Sequence, residues 1–333
     1  MNLAAIDLGF MYTKSIINGQ LIKVKSVVGE SRSLVFSHLS DTTKNAIEIK
    51  IGDKRFFVSD LAIQQSESIY YSLRPDRFDN MIIKALLYTA LAQGYPNKEL
   101  IIKVVSGLPV SHFQLYKENL KQLIMGEHRI ELKMGSEIIK SIVSITQSRL
   151  LPQPFGTLLN KVLSNKGDIE DKGLVNRTVA VIDIGFGTTD ILVSESLTPI
   201  EKLTFSTPTA INHTCRLISS KILEKFGVML PIYKLSDIIT SKKFIQKGMS
   251  HDITSIIDWA SASTSEQLLG EIQIKWLNDW EIGHVLFTGG GSILLYQYLS
   301  PYFPSSELVV DSQWANVNGY TKWGMRTWGK END

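Results

Sequence analysis

The sequence predicts an α/β protein made of two related domains. Three observations carry this. The chain has 333 residues, enough for two domains at roughly 150 residues each. Strand-like runs are followed by helix-like runs in both halves. One segment also occurs twice: Ala4-Ala-Ile-Asp-Leu-Gly-Phe-Met-Tyr-Thr-Lys-Ser-Ile-Ile17 matches Ala180-Val-Ile-Asp-Ile-Gly-Phe-Gly-Thr-Thr-Asp-Ile-Leu-Val193 at six of fourteen positions, with an offset of 183 − 7 = 176.

Each copy reads as a β-hairpin, with an apolar strand, Asp-x-Gly at a tight turn, and a second apolar strand. Strand-like runs follow at 21–28 and 46–58, then polar loops to Asn80. Apolar spacing predicts a helix over 81–93, stopped by Gly94 and Pro96. Residues 100–108 are apolar and β-branched, a buried strand; 113–125 read as a helix and 138–145 as a strand. Pro152-Gln-Pro154 interrupts the chain before helical spacing at 155–163. Residues 161–177, rich in Lys, Asn, Asp and Gly, read as a surface connection.

In the second half, a helix spans 211–226 and ends at Gly227, and a short one spans 233–239. Another helix covers 267–277, then come a strand at 284–288, Gly289-Gly-Gly291 and a helix at 293–299. The aromatic tail 320–328 reads as a last helix on the first domain; its Trp323 and Trp328 also allow a membrane-surface helix. The expected domains are 1–150, with an inserted subdomain at about 30–80 and residues 313–333 packing back on it, and 151–312, with an insertion at about 228–283.

Composition narrows the function. The chain is 44% hydrophobic and 20% charged, with a net charge of 35 − 33 = +2, an ordinary globular balance. So small a charge does not favour nucleic-acid binding over a whole face. Cys215 is the single cysteine, which excludes an intramolecular disulfide and a thiolate zinc cluster, and a reducing cytoplasm is expected. Asp7 breaks the first apolar stretch, so no signal peptide is expected. No Gly-x-x-x-x-Gly-Lys-[Ser/Thr] and no His-Glu-x-x-His occurs, and His38, His112, His128, His213, His251 and His284 show no ligand spacing.

The hairpin turns outline phosphate sites. Asp183-Ile-Gly-Phe-Gly-Thr-Thr189 sets backbone amides and hydroxyls around a tight turn that can wrap an anion. Gly185 and Gly187 are expected to allow positive φ and close approach. A carboxylate beside phosphate is repulsive unless a cation lies between them, and Mg²⁺ with retained waters suits that place. The first hairpin offers Asp7, Gly9, Thr13 and Lys14. A third element, Thr288-Gly-Gly-Gly-Ser292, follows a strand and opens a helix, which exposes amides to a ligand.

In order and spacing these segments resemble the phosphate-one, phosphate-two and adenosine motifs of the actin, sugar-kinase and heat-shock-chaperone superfamily. The chain is most similar to the ParM/StbA group of bacterial actin-like ATPases that segregate plasmids, through its length, residues 27–30, Pro152-Gln-Pro-Phe-Gly156 and Ala315-Asn-Val-Asn-Gly-Tyr320. The resemblance implies two duplicated actin-like (ribonuclease-H-like) domains with a nucleotide cleft between them. It also implies that Asp7 and Asp183 hold hydrated Mg²⁺. Gly9, Thr13 and Lys14 would meet the β-phosphate, Gly185, Gly187, Thr188 and Thr189 the γ-phosphate, and Gly289, Gly290, Gly291 and Ser292 the adenosine. Gln153 would orient the attacking water, with Gln147 as the other candidate for that role, and Asp183 would be the second catalytic residue; positioning and charge neutralisation are most of what phosphoryl transfer needs. Lys221 and Glu224 are placed either at the base or on an exposed face. Met11 and Tyr12 depart from the smaller residues of the family's first turn.

The implied activity is a polymerising ATPase, with GTP also open, that forms filaments of itself. These would segregate plasmid DNA through a plasmid-encoded DNA-binding adaptor, touching DNA only indirectly and no membrane. A small-molecule kinase of the same superfamily and a membrane-associated scaffold are the alternatives. A chaperone ATPase is disfavoured, since no substrate-binding domain follows residue 333.

Overall fold

The computed structural model describes residues 1–35, 46–71, 80–276 and 282–329, less the side chains of residues 80, 232 and 233. The chain divides into two compact units, Met1–Leu174 with Trp314–Asp333, and Val175–Gln313. The division falls after Leu174, where the sequence placed it after residue 150.

The first unit opens with the hairpin of β1 (Leu3–Leu8) and β2 (Tyr12–Ile17), extended by β3 (Gln20–Lys25). Ser26 breaks the run expected over 21–28, and β4 (Val27–Glu30) pairs elsewhere in the sheet. β5 (Ile47–Ile51), β6 (Lys54–Val58), α1 (Asp60–Gln65) and β7 (Ile69–Tyr71) follow; of the loops expected up to residue 80, 72–79 lie outside the described residues, as do 36–45. Then come α2 (Asn80–Gly94), β8 (Glu99–Leu108), α3 (Val110–Ile124), β9 (Gly126–Met134), β10 (Glu137–Pro152), α4 (Gln153–Val162) and the single turn α5 (Lys172–Val175).

The sheet order is β3-β2-β1-β8-β10-β9-β5-β6-β4-β7. β8 is parallel to both β1 and β10. β10 is far longer than the strand expected at 138–145, because its first part pairs with β9 and its last part with β8 across a register shift between Ile145 and Gln147. Alternation along β1 sends Ala4, Ile6 and Leu8 to the core shared with α2, and Ala5 to the opposite face. Asp7 lies on the Ala5 side, near the strand end.

The second unit contains β11 (Thr178–Ile184), β12 (Thr189–Glu195), β13 (Thr198–Pro199), β14 (Phe205–Thr207), α6 (Ile211–Phe226), α7 (Ile232–Ser241), β15 (Lys243–Gln246) and β16 (Met249–Asp252). α8 (Thr254–Lys275), β17 (His284–Thr288), α9 (Ser292–Leu299) and β18 (Ser306–Leu308) complete it. Its sheet order, β13-β12-β11-β17-β18, repeats β3-β2-β1-β8-β10 with the same antiparallel and parallel senses. The duplication read from fourteen residues is thus a duplication of topology.

α8 begins at Thr254, well before the helix expected at 267–277, whose end lies outside the described residues. Its early turns are rich in Ser and Thr, which hide the apolar period, yet Ser261, Thr264 and Ser265 are buried. The Thr264 hydroxyl donates to the Ala260 carbonyl at 2.8 Å, and the Thr214 hydroxyl donates to Thr264 Oγ1 at 2.9 Å.

Cys215 on α6 is buried, and that burial pushes its thiol from 9.0 up to about 12. The unfolded chain ionises near 9 and the folded chain near 12, so this contribution to stability is whole below pH 9 and is lost as the pH climbs to 12. Urea midpoints measured from pH 8 to 11 are expected to fall less steeply for Cys215→Val than for the wild type.

The chain then returns to the first unit as α10 (Ala315–Trp328), which crosses α4 where Gly319 faces Gly156. Thr157 Oγ1 donates to Asn316 Oδ1 at 2.7 Å, and Lys322 Nζ to the Asn160 carbonyl at 2.5 Å. Tyr320 and Trp328 are buried against Ala5 and Val105. Among the described residues, no helix is long and apolar enough to cross a membrane.

Candidate functional site

In the first hairpin, Asp7 pairs across the strands with Lys14, and Leu8 with Thr13. Asp7 is only 3% exposed, and a buried carboxylate is costly unless it is partnered. Its Oδ2 lies 3.4 Å from Lys14 Nζ, and its Oδ1 accepts from Gln153 Nε2 at 2.9 Å. Three residues that the sequence singled out therefore converge. Gln153 is the first residue of α4, after Pro152 at the N-cap (φ −59°), and Pro154 in the first turn suits the helix start.

The turn is braced from behind by Ser26, which sequence reasoning missed. Its hydroxyl donates to the Gly9 carbonyl at 2.8 Å and lies 3.0 Å from Thr13 Oγ1; its amide donates to the Met11 carbonyl at 2.9 Å. A lone serine between two apolar strand runs was the available signal. Thr13 is fully buried, so its hydroxyl serves the turn. Phe10 leans on His112 at the start of α3, with ring centroids 6.4 Å apart.

The second hairpin repeats the design: Asp183 pairs with Asp190, and Ile184 with Thr189. Asp183 is 7% exposed. Thr189 Oγ1 donates to the Thr209 carbonyl at 2.7 Å, as Thr13 is used internally in the other copy. Thr188 Oγ1 donates to Asp190 Oδ2 at 2.9 Å. The tip, residues 185–188, is half-buried and tied to the start of α6, where the Asn212 amide donates to the Phe186 carbonyl at 2.9 Å. Contrary to expectation, neither Gly185 nor Gly187 has positive φ. Gly185 is needed for close approach instead: a Cβ there would lie 2.8 Å from the Thr188 carbonyl oxygen, and one on Gly9 would lie 2.5 Å from that of Tyr12.

The positive φ belongs to the third element, at Gly289, with φ 85°. A Cβ there would run into Asp183 Oδ1 and the Ile184 carbonyl, so the glycine turn packs directly on the second aspartate. The Gly291 amide donates to the Ile184 carbonyl at 2.8 Å. Ser292 is fully buried and donates to the Gly289 carbonyl at 2.7 Å, closing the turn on itself, while Gly290 is exposed.

Other candidates separate cleanly. Gln147 is exposed at the β10 irregularity. Lys221 and Glu224 pair with each other at 2.8 Å on an exposed helix face. Among the described residues, no group of three or more His, Cys, Asp or Glu gathers as a metal cluster.

A strand, Asp-x-Gly turn and strand, repeated in two units with one sheet order, is the layout of a duplicated actin-like fold. The family of actin-like protein N-terminal domains matches residues 5–156, and the archaeal actin homologue MreB-like C-terminal family matches residues 181–301. The chain belongs to the actin-like proteins, and its fold is of the ParM type.

Among solved structures, a non-polymerisable quadruple mutant of pCBH ParM superposes with a TM-score of 0.80 at 22% identity, over 97% of this chain and 98% of that one. The archaeal actin homologue Ta0583 gives 0.79 at 20% identity, over 98% and 100%, and has also been solved with ADP. A ParM from Clostridium botulinum, solved as a 15-stranded filament, gives 0.77 at 20% identity, over 97% and 98%. No curated protein matches the sequence.

Proposed function

We propose that this chain is a nucleotide-dependent polymerising ATPase whose filaments segregate plasmid DNA through a DNA-binding adaptor. The observation that carries the reading is the duplicated hairpin, each copy with a buried aspartate near the end of its first strand beside a turn of close-packed glycine. The archaeal relative solved with ADP supports nucleotide binding, and the botulinum ParM filament supports assembly with further copies of the same chain.

ATP is the substrate, with GTP as the other triphosphate to try. Asp7 and Asp183 would hold magnesium through its waters. The ion would neutralise phosphate charge in the transition state. Lys14 adds a cation for the phosphates, Gly9 and Gly185 bring backbone close to them, and Gly187 and Thr188 line the second turn. Thr13, Thr189 and Ser292 serve through backbone and by bracing their turns, because their hydroxyls are engaged internally. Gly289, Gly290 and Gly291 would lie along the adenosine.

Gln153 would aim the attacking water while its amide nitrogen restrains Asp7. Nucleotide binding would favour subunit contacts and hydrolysis would weaken them, a two-state switch biased by the terminal phosphate. The test is light scattering on adding ATP and Mg²⁺, followed by pelleting and a phosphate-release assay. Gln153→Ala is expected to slow phosphate release by about 10- to 100-fold while polymer still forms, as for a residue that positions a reactant. Hydrolysis at the wild-type rate would remove Gln153 from this role.

A further inference from the structure

The two hairpin turns are braced differently. In the first copy Thr13 meets Ser26, the residue that follows β3. In the second, its counterpart Thr189 donates to the Thr209 carbonyl, on the segment between β14 and α6. That segment, Ser206-Thr-Pro-Thr209, is itself held side chain by side chain.

β14 runs antiparallel to β12, with Ser206 opposite Asp190 and Thr207 opposite Thr189. Alternation sends Ser206 and Thr207 to opposite faces. Ser206 donates to Asp190 Oδ1, while Thr188 donates to Oδ2 of the same carboxylate. Thr207 and Thr209 both donate to Glu271 on α8, one to each carboxylate oxygen, the second at 2.7 Å. Gln267, one turn earlier on α8, donates to Thr209 Oγ1 at 2.8 Å and to Glu271 Oε1 at 3.1 Å. The Thr209 amide closes the loop on Thr207 Oγ1 at 3.1 Å. Thr207 and Thr209 are buried and Glu271 is half-buried. The partners described for Glu271 are hydroxyls and an amide rather than a cation. A carboxylate is an acceptor on both oxygens, and bonds to an ionised acceptor are the strong ones, so one side chain can fix two hydroxyls at once.

We infer that Glu271 is a positioning residue for the second phosphate turn: from α8 it clamps Thr207 and Thr209, and the Thr209 carbonyl in turn holds Thr189 at the end of the turn. The inference rests on the nucleotide reading above, in which this turn meets the terminal phosphate. Glu271 acts through Thr209 and not on the ligand. A clamp on a regular helix keeps the turn amides in one arrangement, and its loss falls on the terminal phosphate and on the rate more than on the rest of the nucleotide.

The test compares wild type, Glu271→Ala, Glu271→Gln and Thr209→Val by calorimetric titration with ATP and ADP in Mg²⁺, by phosphate release at saturating ATP and by thermal melts. Thr264→Ala, which removes a hydroxyl pair between α8 and α6 away from the clamp, is the control for lost stability. Glu271→Ala is expected to lower kcat about tenfold, below the roughly 100-fold that an ångström of misplacement can cost. Its ATP affinity should fall about three- to tenfold and its ADP affinity by less than about twofold. Glu271→Gln keeps an accepting oxygen and should recover most of both losses. Thr209→Val breaks the same clamp from the loop side at nearly constant volume; it should show the same split, and it stands in if Glu271→Ala does not fold. Thr264→Ala should melt lower yet keep the wild-type ratio of ATP to ADP affinity. Phosphate release at the wild-type rate in Glu271→Ala, an equal loss for ATP and ADP, or the same split in Thr264→Ala overturns the inference and leaves the nucleotide reading standing. A wild type that binds neither nucleotide overturns both.

Discussion

Asp183→Ala is expected to abolish the nucleotide response: no rise in light scattering and no pelleting on adding ATP and Mg²⁺. Asp183 is buried at the end of β11, with the Gly289 turn packed on its carboxylate. Alanine removes the carboxylate that would hold a hydrated cation against phosphate, the neighbouring Asp190 being engaged by the Thr188 and Ser206 hydroxyls, and a bare amide cradle cannot make up a metal's charge. The side chain shrinks, so the fold should survive and the melting temperature should stay within a few degrees of wild type. Gly289→Ala provides a second approach to the same point. Its Cβ would collide with the carboxylate oxygen from a residue already at φ 85°, so the response should weaken with Asp183 still present. An Asp183→Ala protein that polymerises with ATP as the wild type does would remove the second hairpin from the site.

Gly319→Ala is expected to cost about 3 kcal/mol of stability, the top of the usual range for core overpacking, although it substitutes none of the proposed nucleotide residues. At this crossing of α4 and α10 the added methyl would overlap the Gly156 carbonyl oxygen, a backbone atom that cannot rotate away. α4 also carries Gln153 at its first turn. A helix pushed outward there should loosen the hydrogen bond from Gln153 to Asp7 as well. Urea denaturation reads the first effect and phosphate release the second. A midpoint equal to wild type would show that the helices adjust by sliding.

Much of this fold is written locally. Gly227 ends α6 with φ 68°, so the helix stops where a left-handed residue is required. β17 and the two hairpins are short apolar runs bounded by glycine, and they fall where expected. β9 escaped because Glu127, Arg129, Glu131 and Lys133 alternate with its inward residues, a strand that is charged along one face. The early turns of α8 escaped because buried serine and threonine carry no apolar signal. In the site, Asp7, Lys14 and Gln153 were legible by type, but their meeting depends on β10 and α4 bringing residue 153 back to strand β1. Ser26 depends on strand register, which no short motif encodes.

The most direct trial of the duplicated hairpin as a grip on magnesium nucleotide is calorimetric titration of the purified chain with ATP, run with Mg²⁺ and again with the metal chelated. The expected trace saturates at one nucleotide per chain and collapses without the metal. No heat with any purine triphosphate, or an identical trace after chelation, would contradict it.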